Sequence, residues 1–228
     1  TPPFLTPSKP EVPDVPVIPE ITPDPNYNQI KERIEEPTAI VVVQNSEFYK
    51  LGSNSTKGGA ILFDKKRVNC TIDNCKFTYC IGNNGGAIWI QYAGDDNYLS
   101  GRISKTTFTN CFAKTDGGAI NLKITQPNRH SFVIEECTFI SNTAGDQGGA
   151  IYTEARDKLT IQKCIFENNV AYDNEKQGFS LYASIGYTAK GDKGNKNTLL
   201  YNKFSFTPVQ DAFNVYITTT TNSNNFDY

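Results

Sequence analysis

The sequence predicts an all-β chain: a right-handed parallel β-helix (solenoid) of about five or six coils, with an extended proline-rich N-terminal arm. Three observations predict it. The block Gly-Gly-Ala-Ile recurs at a near-constant interval, and the prolines crowd into one end of the chain. Everywhere else short apolar runs alternate with Asn, Gly, Asp and Thr clusters, with no sustained helical period.

The arm comes first. Residues 1–37 hold ten of the twelve prolines, and Pro7, Pro10, Pro13, Pro16 and Pro19 fall at a period of three. Polyproline II has about 3 residues per turn, so these rings line one edge of an extended rod suited to docking on an aromatic groove, in its own domain or a neighbour's. Residues 38–228 form the solenoid, with clear repeats over 45–181 and a degenerate last coil over 182–228.

The repeat follows. Gly58-Gly59-Ala60-Ile61 returns at Gly85, Gly117 and Gly148, with a worn copy at Gly178-Phe179-Ser180-Leu181, so the starts lie 27, 32, 31 and 30 residues apart. Upstream of each stands a phenylalanine, in the series Phe48, Phe77, Phe108, Phe139 and Phe166. Two residues before it come Ser46, Cys75, Thr106, Cys137 and Cys164, and five before it, in the last four copies, Ile72, Ile103, Ile134 and Ile161. Alternation turns Ile88, Ile90 and Tyr92 to one face, as it does Ile120, Leu122 and Ile124.

Each unit therefore reads as about three short strands joined by bends. One unit cannot bury its own inward residues, whereas units stacked about 4.8 Å apart place Ile on Ile and Phe on Phe in a continuous core. The glycines belong at a corner, where positive φ and the lack of a Cβ let neighbouring coils approach. Thr38 to Val43 makes a first incomplete coil, and Phe204 with Phe213 to Tyr216 makes a last one.

GGA[ILV] paired with FxxN, here in the four GGAI copies and in Phe139-Ile140-Ser141-Asn142 and Phe166-Glu167-Asn168-Asn169, resembles the repeat signature of the chlamydial polymorphic membrane proteins and of similar surface proteins in some protists. The resemblance spans roughly Asn45 to Leu181. It implies a surface-displayed β-helix linked to adhesion. Cys80, Cys111 and, in the first copy, Leu51 stand where that signature has Asn.

A formal net charge of −2 leaves no basic footprint for nucleic acid, and no apolar run reaches the roughly 18 residues of a membrane span. The chain has no methionine, which predicts an excised portion of a longer precursor. Two acceptor triplets for N-glycosylation, at Asn54 and Asn69, favour a secreted, extracellular or cell-surface protein. In register, Cys80 and Cys111 share one column and Cys137 and Cys164 another, at a spacing compatible with disulfides, and Cys70 with Cys75 makes a third candidate pair across a bend.

No catalytic centre, cofactor or metal site is expected. The position before the glycine pair reads Lys57, Asn84, Asp116, Gln147 and Gln177, a single carboxylate. Asp95, Asp96, Glu135 and Glu136 share no column and read as solvated, and the one histidine, His130, reads as an exposed loop residue. The residue after each GGAI isoleucine, in the series Leu62, Trp89, Asn121, Tyr152 and Tyr182, faces outward, so Trp89, Tyr152 and Tyr182 are candidates for a sugar-stacking or protein-binding strip. The chain reads as a non-enzymatic structural or adhesion β-helix that self-associates head-to-tail or by arm exchange, or meets other surface proteins. A carbohydrate-binding or polysaccharide-degrading β-helix is the alternative.

Overall fold

Val, Ile, Phe and Thr at alternate positions make strands, and in the computed structural model those strands stack as parallel rungs. The described residues are 39–64, 68–92, 99–124, 130–155, 158–172, 179–186, 197–205 and 214–220. The chain divides between Pro37 and Thr38 into two units. The arm prolines Pro7, Pro10, Pro13, Pro16 and Pro19 lie outside the described residues, as do Asp95 and Asp96.

Four sheets wrap the core. The first holds Ala39–Gln44, Val68–Asp73, Leu99–Ser104, His130–Glu135, Lys158–Gln162 and Thr198–Leu200. The second holds Glu47–Tyr49, Lys76–Thr78, Thr107–Thr109, Thr138–Ile140, Ile165–Glu167 and Lys203–Ser205. The third holds Ile61–Asp64, Ile88–Tyr92, Ile120–Ile124, Ile151–Ala155, Leu181–Gly186 and Val215–Thr220. Six coils result, numbered one to six along the chain. Between the second and third sheets lies a fourth, of two-residue strands: Ile81–Gly82, Phe112–Ala113, Thr143–Ala144 and Val170–Ala171. Each complete coil thus has four strands rather than the three expected, because two residues are too few to display an alternation.

The expected columns form. Phe48, Phe77, Phe108, Phe139, Phe166 and Phe204 stack ring on ring, with centroids 4.5 to 4.9 Å apart and planes within 9°. Ile72, Ile103, Ile134, Ile161 and Leu199 pair in register. Full burial of one such side chain is worth about 1.5–3 kcal/mol, and an aromatic pair adds about 1 kcal/mol. Gly101, in an inward column of the first sheet, leaves the room that the Phe132 ring and the Tyr92 hydroxyl fill.

Two residues separate the first sheet from the second in all six coils, and two separate the second from the fourth sheet wherever the latter exists. The first of each pair takes a positive φ near 50°, from Asn45 in coil one to Tyr201 in coil six, and Lys50 takes the same φ after the second-sheet strand of coil one. That value lies in the left-handed region, which bends the chain sharply from one sheet into the next. The second residue points inward and satisfies the bend. Asn142 Oδ1 accepts the Cys111 N–H and Asn142 Nδ2 donates to the Phe108 carbonyl, each at 3.0 Å. Asn169 repeats both bonds toward Asn142 and Phe139. This is the physical content of FxxN: one amide serves both orphaned backbone groups of the coil before it.

The corner between the fourth and third sheets needs its two glycines for different reasons. Gly85, Gly117 and Gly148 have φ of 70°, 70° and 66°. At the second glycine the coils nearly touch, and a Cβ on Gly118 would overlap the Gly149 carbonyl oxygen of the next coil. The worn copy keeps the corner's bonding, since Ile151 N–H donates to Ser180 O as Ile120 N–H does to Ala150 O.

Candidate functional site

The corner decides what the outer face of the third sheet presents. Leu62, Trp89, Asn121, Tyr152, Tyr182 and Tyr216 stand in register on that face. The corner folds back over the start of each strand: a Cβ on Gly85 would overlap the Ile88 carbonyl oxygen, and Asn121 Nδ2 donates to the Asp116 carbonyl at 3.4 Å. The Lys57 ammonium lies 4.4 Å from the centre of the Trp89 ring. With a neighbouring strand on either side as well, Trp89 is 3%, Asn121 0% and Tyr152 9% exposed, against 50% for Leu62, whose corner folds the same way but whose strand ends the sheet. The open strip expected at Trp89 and Tyr152 is therefore covered, and Tyr182 and Tyr216 remain half-buried.

The tyrosines also occupy one another's faces. Tyr152 and Tyr182 stack at 5.2 Å and 7°, and Tyr182 and Tyr216 at 5.3 Å and 18°. A sugar stacks on an aromatic face, so rings sandwiched along the helix axis present edges rather than platforms.

Beside this column the structure assembles a polar group. Glu154 Oε1 accepts from Tyr152 Oη at 2.9 Å and from Lys123 Nζ at 2.7 Å, and Lys123 lies 5.5 Å from the Tyr152 ring centre. Burial raises the Asp116 carboxyl above the usual carboxylate range, and the negative charges of Asp146 and Glu154 add to it, against a bond from Gln147 N–H and the charge of Lys123. Burial, with Glu154 next, likewise pushes up the Tyr152 phenol. Asp116 and Glu154 sit in different columns of the repeat, which is why the sequence showed no carboxylate pair. The corner brings them within electrostatic reach. Lys123 and Glu154, one above the other in neighbouring strands, were the available signal.

Residues 34–226 match the family described as the right-handed beta helix region. The chain belongs to the right-handed β-helix family. No curated protein and no solved structure gives a significant match. Among the described residues of this β-helix, no group of three or more His, Cys, Asp or Glu side chains is placed to hold a metal ion, and no helix is long and apolar enough to cross a membrane.

The cysteines of the β-helix are all buried free thiols, not disulfides. Parallel register holds neighbouring Cβ atoms near the coil spacing of about 4.8 Å, wider than the roughly 3.8 Å a disulfide takes. Their thiols occupy the ladder slots instead. Cys80 and Cys111 donate to Phe48 O and Phe77 O at 3.7 and 3.6 Å, as Asn142 does to Phe108 O. Cys75, Cys137 and Cys164 reach Val43 O, Ile103 O and Ile134 O at the other bend. Cys70 meets the Tyr92 hydroxyl at 3.3 Å. The Cys80 thiol beside it and burial together hold the Cys111 thiol well above the ordinary thiol range.

Three further expectations change. His130 is buried, not an exposed loop residue, because it begins a strand of the first sheet and its ring packs 5.8 Å from Tyr92. Glu135 is buried too, held by the Arg102 guanidinium and by Gln162 Nε2 at 2.7 Å. The two sequons separate: Asn54 is exposed, whereas Asn69 is half-buried in a strand with its Oδ1 accepting the Ser100 N–H at 2.8 Å.

Proposed function

We propose that this chain is a non-enzymatic structural or adhesive β-helix, displayed outside the cell, whose work is done by its outer faces and ends. One observation carries the reading: the phenylalanine and isoleucine columns of coils two to five pack side chain on side chain, fully buried from Ile72 and Phe77 to Ile161 and Phe166. A solenoid packed in this way offers an extended rigid surface, the use to which repeat proteins put their length. The resemblance of the GGAI and FxxN blocks to the polymorphic membrane protein repeat supports the surface and adhesion part, and the exposed sequon at Asn54 suits a secreted chain.

The buried Asp116 carboxyl favours a second reading, a carbohydrate-active or carbohydrate-binding β-helix, since a carboxyl that burial holds toward its protonated form is one half of what a general acid pair needs, with the Glu154 charge a minor influence on it. The two readings part in one experiment, with beads carrying the protein offered to cultured cells and to a glycan array. Saturable cell binding that survives enzymatic removal of cell-surface glycans supports adhesion to protein. Array binding lost in Asp116→Asn and Glu154→Gln, or release of new reducing ends from a polysaccharide, supports the second reading and defeats the first.

A further inference from the structure

The two ends of the solenoid are complementary, and we propose that coil six of one copy pairs with coil one of a second copy in the register that links coils within the chain. The proposal rests on the structural reading above and names its partner.

Among the described residues, the strands of coils one and six have a hydrogen-bonded neighbour on one side only in the first, second and third sheets. Such edges template further strands. Among the described residues no further strand covers the inward columns there: Val43, Phe48, Ile61 and Phe63 are half-buried at one end, while Leu199 and Ile217 are 40% and 50% exposed at the other, next to half-buried Phe204 and Val215.

The edges match in shape. Both end coils make the same first bend, at Asn45 with φ 50° and Tyr201 with φ 54°, followed by an inward polar residue, Ser46 or Asn202. Extending the register places Leu199 on Val43, Phe204 on Phe48, Val215 on Ile61 and Ile217 on Phe63, apolar on apolar at these four positions, with polar Asn202 meeting Ser46 between them. It also continues the phenylalanine stack, with its centroid spacing of 4.7 Å at Phe166 and Phe204, across the junction.

The edges match in charge as well. Glu47, Lys76, Thr107, Thr138, Ile165 and Lys203 form one outward column. Glu47 already pairs with Lys76 at 2.7 Å within the chain. In the extended register the next neighbour of Glu47 is Lys203 of the copy before it, so the carboxylate lies between two ammonium groups. The contact joins unlike surfaces and does not close, which generates a linear assembly.

Sedimentation velocity on the full chain over a concentration series tests this, with circular dichroism checking the fold of every variant. Wild type is expected to form elongated species that lengthen with concentration. Lys203→Glu sets two carboxylates against each other at the junction and should raise the concentration required by roughly fivefold. Phe48→Asp blocks one end and Ile217→Lys the other, so neither variant elongates alone, whereas an equimolar mixture forms a dimer and stops. A wild-type chain that stays monomeric, or a blocked variant that dimerises by itself through a symmetric contact, overturns the proposal. Where a blocked variant does not fold, Lys203→Glu decides, and unchanged elongation sinks the idea. Cell binding retained by non-elongating variants leaves the adhesion reading standing on its own, and elongation without cell binding separates the two the other way.

Discussion

Two aromatic columns run along this solenoid, and they meet different fates. The phenylalanines face the core, where six rings stack without interruption. The outer column of the third sheet begins with Leu62 and Trp89, is broken by Asn121, and becomes a tyrosine stack only at Tyr152, Tyr182 and Tyr216. Parallel register imposes the stacking on both, whichever way the rings face. What differs is the water removed: the inner column loses all of it from Phe77 to Phe166, and the outer one nearly all of it only at Trp89, Asn121 and Tyr152.

The largest effect should come from Phe108→Ala, which removes the middle of the inner stack and leaves a cavity, at a cost of about 3–5 kcal/mol in chemical denaturation. Tyr182→Ala in the outer stack should cost about 1 kcal/mol, and equal losses would abolish the distinction between the columns. Gly118→Ala, which drives a methyl into the neighbouring coil's backbone, is expected to cost about 3 kcal/mol, measured the same way. Asn142→Ala strips the Cys111 N–H and the Phe108 carbonyl of their partners and should cost about 2–3 kcal/mol, with faster hydrogen exchange at the Cys111 amide.

Smaller effects sharpen the comparison. Thr153 faces the core, and its hydroxyl finds no partner among the described residues, so Thr153→Val should raise the thermal midpoint and add about 1 kcal/mol. Asp116 tests the corner. Burial, with the nearby carboxylates, raises its folded-state pKa, so the fold holds that proton more tightly than the unfolded chain does. The stability this gives is complete below the ordinary carboxylate range and disappears as pH rises through the folded value. Asp116→Asn should therefore be more stable than wild type at neutral pH and lose that advantage as the solution is acidified, as read from thermal midpoints across a pH series.

The inner column was legible because like on like writes its period into the chain: Phe, Ile and GGAI recur whatever else changes. The outer face was not, because the exposure of Trp89 depends on how the residues before it fold, and alternation records direction rather than cover. Phe204 escaped the register for a simpler reason. It lies 38 residues after Phe166, beyond the interval of the earlier copies, although Asn202 two residues before it bonds to Cys164 N–H and Ile161 O in the manner of the repeat. The Asp116 and Glu154 pair lies between columns, where a periodic reading has nothing to count.

The fixed two-residue bends leave all variation in coil length to the other two corners. Between the third sheet and the next strand of the first sheet the chain inserts 3, 6, 5, 2 and 11 residues in successive coils, yet the ladders on both sides keep their pairing. Growth or loss of sequence is therefore confined to particular edges of the wall. An epitope or enzyme grafted between Ala155 and Lys158 would be carried on a rigid rail whose attachment points recur about every 4.8 Å, a spacing set by the hydrogen-bond ladder and independent of the cargo.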